Sequence, residues 1–138
     1  DLARFIDAQE GVFERALQEL TRGRKQSHWM WFIFPQVSGL GHSPMAQRYA
    51  IRSKGEALAY LEHEVLGQRL RQCAAALLAY PDRNITAIMG SPDDMKLRSS
   101  LTLFAAISPP DSVFARVLAH FYTGRSDEFT TEFLEKNP

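Results

Sequence analysis

The chain has 138 residues, 45% of them apolar and 23% charged, with 16 basic side chains balanced by 16 acidic ones. That length makes one domain, residues 1–138, with a sizeable buried core. The apolar content excludes a disordered chain, and the zero net charge excludes a broad electrostatic attraction to nucleic acid.

Cys73 is the single cysteine, which rules out an intrachain disulfide or a cysteine-based zinc site. It lies in the stretch CAAALLAY, where a thiol packs as a small apolar group. The longest run of large apolar residues, Trp29 to Phe34, falls far short of the ~20 residues that a membrane span requires. The first twenty residues are amphipathic and lack the basic start and apolar run of a leader. A soluble, cytoplasmic monomer is expected, with neither membrane nor nucleic acid as partner.

In chain order, Leu2, Phe5, Ile6, Gln9, Val12, Phe13, Ala16, Leu17 and Leu20 keep helical spacing, which predicts one helix up to a stop at Gly23. Trp29 to Phe34 is apolar on every side, and the expectation is a short buried helix opened by Ser27 and ended by Pro35. Ser43 followed by Pro44 marks another start, and Ser53 with Glu56 forms a capping box. A long helix is predicted from about Val65 to Tyr80, closed by Pro81. Shorter ones follow over Asn84 to Met89, from Ser91 through KLRSSLTLFAAI, over Asp111 to Tyr122, and from Asp127 onward. No stretch alternates with period two, and no Asn-Gly or Asp-Gly turn occurs. The fold class is therefore all-α: about eight mostly short helices packed around a central aromatic one.

Two stretches carry residues capable of chemistry. The first surrounds the aromatic run. A glycine-rich turn, Gly39-Leu40-Gly41-His42-Ser43-Pro44, feeds a helix start, where unpaired amides and the helix dipole suit a phosphate or carboxylate. It lacks the third glycine of a dinucleotide fingerprint and the lysine of a P-loop, so no cofactor is implied. Arg48 and Arg52 are expected four apart on the helix this turn opens, and Lys25 precedes the aromatic run. Trp29 and Trp31, bracketed by His28 and Gln36, are either plain core or a stacking wall for a planar ring.

The second stretch is SPDDMKLRSSLTLF, residues 91–104. Asp93 and Asp94 fall in a first helical turn, where carboxylates favour the dipole. Lys96 and Ser100 share a face, as do Asp94 and Arg98. Ser99, Ser100 and Thr102 are unusual in an apolar helix: their hydroxyls either bond back to the preceding turn or face a polar cavity. The four histidines show no metal-ligand spacing, and no metal is expected.

The blocks RFIDAQ, GRKQSHWMWFIFPQVSGLGHS, RYAI, EALAYL and DDMKLRSSLTLF resemble the family catalogued as domain of unknown function 1810, over Arg4 to about Asp127. Glu64 stands where a proline commonly follows the histidine, and Leu101 where methionine is common. The resemblance implies a small, mainly helical single domain and brings no established reaction or catalytic residues. The calpastatin label attached to some members implies a long, disordered, repeat-built inhibitor, which this composition contradicts.

The sequence therefore points to a protein that binds an anionic, phosphorylated or nucleotide-like small molecule, with hydrolysis as the default reaction. Catalysis would fall to Asp94 or His28 as base and Lys96 or Arg52 as charge stabiliser. Lys25, Trp29, Trp31, Gln36, Gly39, Gly41, Ser43, Arg48, Arg52, Ser99 and Ser100 would line the pocket. The alternative is a non-catalytic interaction module whose unusual residues are structural. The ligand reading requires the tryptophan-rich segment and the start of the serine-bearing helix to meet around one polar hollow.

Overall fold

The computed structural model describes residues 1–138 and contains ten α-helices and no strand. The single helix expected over the first twenty residues is two: α1 (Ala3–Gln9) and α2 (Phe13–Thr21). The break falls at Gly11, whose φ of 73° only glycine adopts without strain. The linking turn replaces about one helical turn, so the apolar period runs on in phase and hides the break. Once broken, α1 packs on the aromatic segment and α2 on the long helix α6.

The other ranges are α3 (Met30–Ile33), α4 (Pro44–Arg48), α5 (Lys54–Glu62), α6 (Leu66–Leu77), α7 (Ile85–Met89), α8 (Asp93–Ala106), α9 (Val113–Tyr122) and α10 (Glu128–Lys136). The side chains of Ser43, Ser53, Asn84, Ser112 and Asp127 each accept a first-turn amide, as cap chemistry requires. Ser27 does not cap α3; its hydroxyl donates instead to Glu19.

One continuous cluster of buried apolar side chains draws on every helix except α4 and α10, so the chain forms one domain. An aromatic chain runs through it: Phe5 against Tyr60 at 5.0 Å, Tyr60 against Phe104 at 5.5 Å, and Phe104 against Phe114 at 5.8 Å. α8 is the spine, touching α3, α5, α7, α9 and α10. Between α3 and α5 the chain leaves the core and returns. Its two limbs are tied by a parallel bridge in which Ile51 N–H donates to Gln36 O at 2.8 Å and Ser38 N–H to Ile51 O at 2.9 Å. The excursion between those ties carries the glycine turn and α4, which has no buried residue. It stands as an outer wall beside α3.

Candidate functional site

α3 and the start of α8 meet along one side of the molecule. The contact is electrostatic at its edge: Lys25 Nζ lies 2.8 Å from Asp93 Oδ2, and Lys96 Nζ lies 3.9 Å from Asp93 Oδ1. Asp93 can reach both because it sits three residues before Lys96 on the same face of α8, the spacing at which helical side chains meet.

Two adjoining hollows open here and share Met30, Trp31 and Lys96 as their common wall. The first, about 230 Å³, is floored by Met30, Phe34, Val37 and Tyr49 and rimmed by Gln36, Gly41, His42, Ser43 and Ala46. The second, about 280 Å³, is polar, with Lys25, Gln26, Ser27, His28, Ser91 and Asp93 among its lining residues. An aromatic lobe and a charged lobe therefore lie on either side of Trp31 and Lys96.

The two lysines differ in what they have left to offer. The Lys25 side chain is 6% exposed, and its ammonium is held by Asp93, by the Ser27 carbonyl at 2.6 Å and over the Trp29 ring at 4.8 Å. It braces the two segments. The Lys96 side chain is 35% exposed, reaches Asp93 only at the long distance above, and lies 5.8 Å from the centre of the Trp31 ring. It keeps hydrogen-bonding capacity for a ligand.

Several residues expected in the pocket stand elsewhere, each for a visible reason. Trp29 is fully buried, and its indole N–H donates to Glu19 at 2.9 Å, so it cannot stack on a ligand. The Asp94 carboxylate accepts from the Thr86 hydroxyl at 2.6 Å and from the Met95 amide at 2.9 Å, while its carbonyl takes the Tyr122 hydroxyl. The carboxylate at the lobes is Asp93.

Ser99 and Ser100 are buried along α8: Ser99 bonds back to the Met95 carbonyl, and the Ser100 hydroxyl is enclosed with no partner, outside both hollows. Arg48 and Arg52 do not share a helix, because α4 ends at Arg48 and the chain turns back at Ile51, and both are exposed beyond the lobes. Gly39 lies under the Phe129 ring, which a Cβ would meet at 2.8 Å. The α4 start is likewise partly spent, because the Ser43 oxygen already takes the Ala46 amide at 3.1 Å. Lys25, His28, Trp31, Gln36, Gly41, Ser43 and Lys96 do come together.

The histidines divide in the same way. His63 Nδ1 accepts the Val65 and Leu66 amides, and His120 bonds the Pro81 carbonyl, whereas His28 and His42 are exposed at the lobes. No group of three or more histidine, cysteine or acidic side chains is placed to hold a metal ion. Burial pushes the Cys73 thiol up to about 12, with Arg69 opposing weakly, so it stays protonated and inert.

A residue that sequence reasoning missed anchors the cleft from behind. Glu19 on α2 is 7% exposed and accepts from the Gln26 amide at 2.8 Å, the Ser27 amide at 3.0 Å, the Ser27 hydroxyl at 2.6 Å and the Trp29 indole at 2.9 Å. Burial alone would raise its pKa, but the four donors outweigh burial and lower it to about 2. The result fixes the entry into α3. The helical pattern counts Glu19 with Asp7, Glu10, Glu14 and Arg15 on the outward face, whereas the structure buries it beside Ala16 and Leu20. His42 and Tyr49 were also missed as wall residues, because only the return through Ile51 folds their segment against α3.

The fold and cleft define a small all-helical domain with a two-lobed hollow between an aromatic turn and the head of a long helix. The chain belongs to the family described as protein of unknown function (DUF1810), which matches residues 1–134. It is similar to the crystal structure of the conserved hypothetical protein Rv1873 from Mycobacterium tuberculosis, at 47% identity and a TM-score of 0.95, covering 98% of this chain and 96% of that one. No curated protein matches it. No helix is long and apolar enough to cross a membrane.

Proposed function

We propose that the protein binds a small anionic molecule carrying a flat ring, of the phosphorylated or nucleotide-like kind, in the cleft between α3 and α8. The observation that supports this most is an imbalance in hydrogen bonding. Away from the cleft, the polar side chains of Gln9, Glu19, Tyr60, Thr102 and Tyr122 are paired within the protein, and the sealed Ser100 hydroxyl is the exception. At the cleft, the Trp31 indole N–H, the Gln36 carboxamide and the Tyr49 hydroxyl have no protein partner, and Lys96 has only its distant carboxylate. Convergent unpaired polar groups in an aromatic-lined hollow are what a ligand site requires.

In this reading the ring lies against Trp31 in the aromatic lobe, where stacking adds to area burial. The charged group enters the polar lobe and draws Lys96 away from Asp93; an anion competes well there because an exposed pair at that separation is weak. Lys25, fixed beneath, keeps the local potential positive against the single carboxylate. The groups at hand support binding more than bond cleavage. The Asp94 carboxylate is engaged by Thr86 and the Ser27 hydroxyl by Glu19, leaving His28 as the imidazole on the polar lobe.

Intrinsic fluorescence tests this directly, since Trp31 faces the cleft and Trp29 is sealed. Titration with nucleoside monophosphates, sugar phosphates and inorganic phosphate is expected to give a saturable change with at least one compound, matched by a rise in Tm. The Trp31→Phe variant is expected to lose the fluorescence change. Absence of any saturable response across that panel would sink the reading.

A further inference from the structure

The aromatic lobe holds a feature that goes to the identity of the ring, and the inference rests on the binding reading above. The chain has four tyrosines. Three of them donate their hydroxyl to a main-chain carbonyl: Tyr60 to Phe32, Tyr80 to Thr21 and Tyr122 to Asp94. Tyr49 does not. Its ring is clamped between Phe5 at 5.9 Å and Phe32 at 5.4 Å, and the residue is only 8% exposed. Its hydroxyl nevertheless has no partner and is not sealed from solvent, and the residue lines the aromatic lobe.

Gln36 lines the same lobe. Its backbone is immobilised on both sides: the preceding Phe34 and Pro35 are buried, Val37 is 2% exposed, and the Ile51 amide holds the Gln36 carbonyl at 2.8 Å. The carboxamide itself is unused. With the backbone already fixed, only the side-chain torsions remain to be ordered on a ligand.

A carboxamide offers a donor beside an acceptor, and a phenol hydroxyl can act as either. A nucleobase edge carries the complementary pair, which is why glutamine recognises adenine with two parallel hydrogen bonds. A plain aryl ring in the same lobe would displace water from Gln36 and Tyr49 and return nothing. Sites built this way discriminate strongly against analogues that lack the polar edge.

We propose that Gln36 and Tyr49 read the polar edge of a nucleobase-type heterocycle, so that the ligand class is a nucleoside monophosphate rather than an aryl or sugar phosphate. Lys96 and the polar lobe take the phosphate in common with the simpler compounds; selectivity comes from the ring edge.

The test is calorimetric titration of the 138-residue chain with the nucleoside 5′-monophosphates of adenine, guanine, cytosine and uracil, with phenyl phosphate and with ribose 5-phosphate. At least one nucleotide is expected to bind ten-fold or more tightly than phenyl phosphate. Gln36→Leu and Tyr49→Phe, which keep apolar bulk and remove the polar edge, are expected to erase that margin by weakening the nucleotide, while phenyl phosphate, no longer stripping water from those groups, binds as tightly as before or more tightly. Should Gln36→Leu fail to fold, Tyr49→Phe decides alone, since it retains the clamped ring. Equal binding of phenyl phosphate and nucleotides by the unmodified protein, or a margin that survives the variants, would overturn the edge-reading role and leave the binding site standing. If none of the compounds binds, both fall together.

Discussion

Trp29 and Trp31 are two residues apart and chemically identical, yet they do opposite things. Trp29 is fully enclosed, with its N–H on Glu19 and the Lys25 ammonium over its ring. Trp31 is half-buried, with its N–H unpaired and Lys96 beside it. Each tryptophan thus has its own lysine, and the two lysines share Asp93. The inner set is saturated with partners and the outer set is not. A helical turn of four residues, α3, places them on different sides of the chain. The contrast separates the residues that hold this region together from those left free to bind.

The largest effect expected from breaking that contrast is at Glu19. Its replacement by alanine strips four donors of their acceptor, two of them side chains tied to α3, and is expected to cost roughly 3–5 kcal/mol. Urea unfolding with an unchanged m-value checks this. Acid should produce the same loss more gradually. Because the folded-state pKa is held at about 2, below the ordinary value of 4.5, the stabilisation is fully present above the ordinary value. It is lost as pH falls through that window towards the folded value. In Glu19→Gln the fall in Tm across the same window is expected to be shallower. An unaltered acid profile would mean that the carboxylate contributes nothing as an ion.

The next comparison applies one substitution to both tryptophans. Trp29→Phe leaves the Glu19 carboxylate short of a donor in a sealed site and opens a gap, with an expected cost of about 1–3 kcal/mol. Trp31→Phe removes an N–H that has no protein partner and should shift stability by no more than about 0.5 kcal/mol. Thermal unfolding of the two variants side by side is sufficient. Equal losses would erase the distinction between core and cleft tryptophan.

How far this arrangement was legible in the sequence depends on the range of the interactions. Helix starts at Ser43, Ser53 and Asp127 and the stop at Gly23 were readable because cap chemistry is decided within a few residues. The break at Gly11 was not, since a turn close to 3.6 residues long preserves the apolar phase. At the cleft, the neighbourhood of α3 and the head of α8 was anticipated, but the carboxylate was assigned to Asp94 when Asp93 occupies it. Adjacent helical residues point about 100° apart, and nothing local says which of the two faces Lys25. The serines at 99 and 100 looked functional because hydroxyls are rare in apolar helices; Ser99 satisfies itself on the preceding turn. Glu19 escaped notice because its donors come from a segment on the far side of Gly23, where chain geometry and not pattern sets the contact.

The pair of lysines is expected to have a modest effect on stability and the sharpest on binding. Lys25→Met removes a nearly enclosed ammonium that bonds Asp93 and the Ser27 carbonyl, and a loss of about 1–2 kcal/mol follows from leaving those acceptors short. Lys96→Met deletes only a long contact from a partly exposed side chain, so stability should stay within about 0.5 kcal/mol of the parent. Affinity for a phosphate-bearing compound behaves the other way. Lys96 is the cation with capacity to spare, so its loss is expected to weaken binding by about ten-fold or more, equivalent to 1.4 kcal/mol, and to flatten the dependence of binding on salt. Lys25→Met, where it folds, should weaken binding less, because that ammonium is already committed to Asp93 and acts on the ligand only through the local potential. A titration in which the two variants lose equal affinity would place the anion on the shared carboxylate network as a whole and not on Lys96. The inner lysine would then belong to the site as much as the outer one.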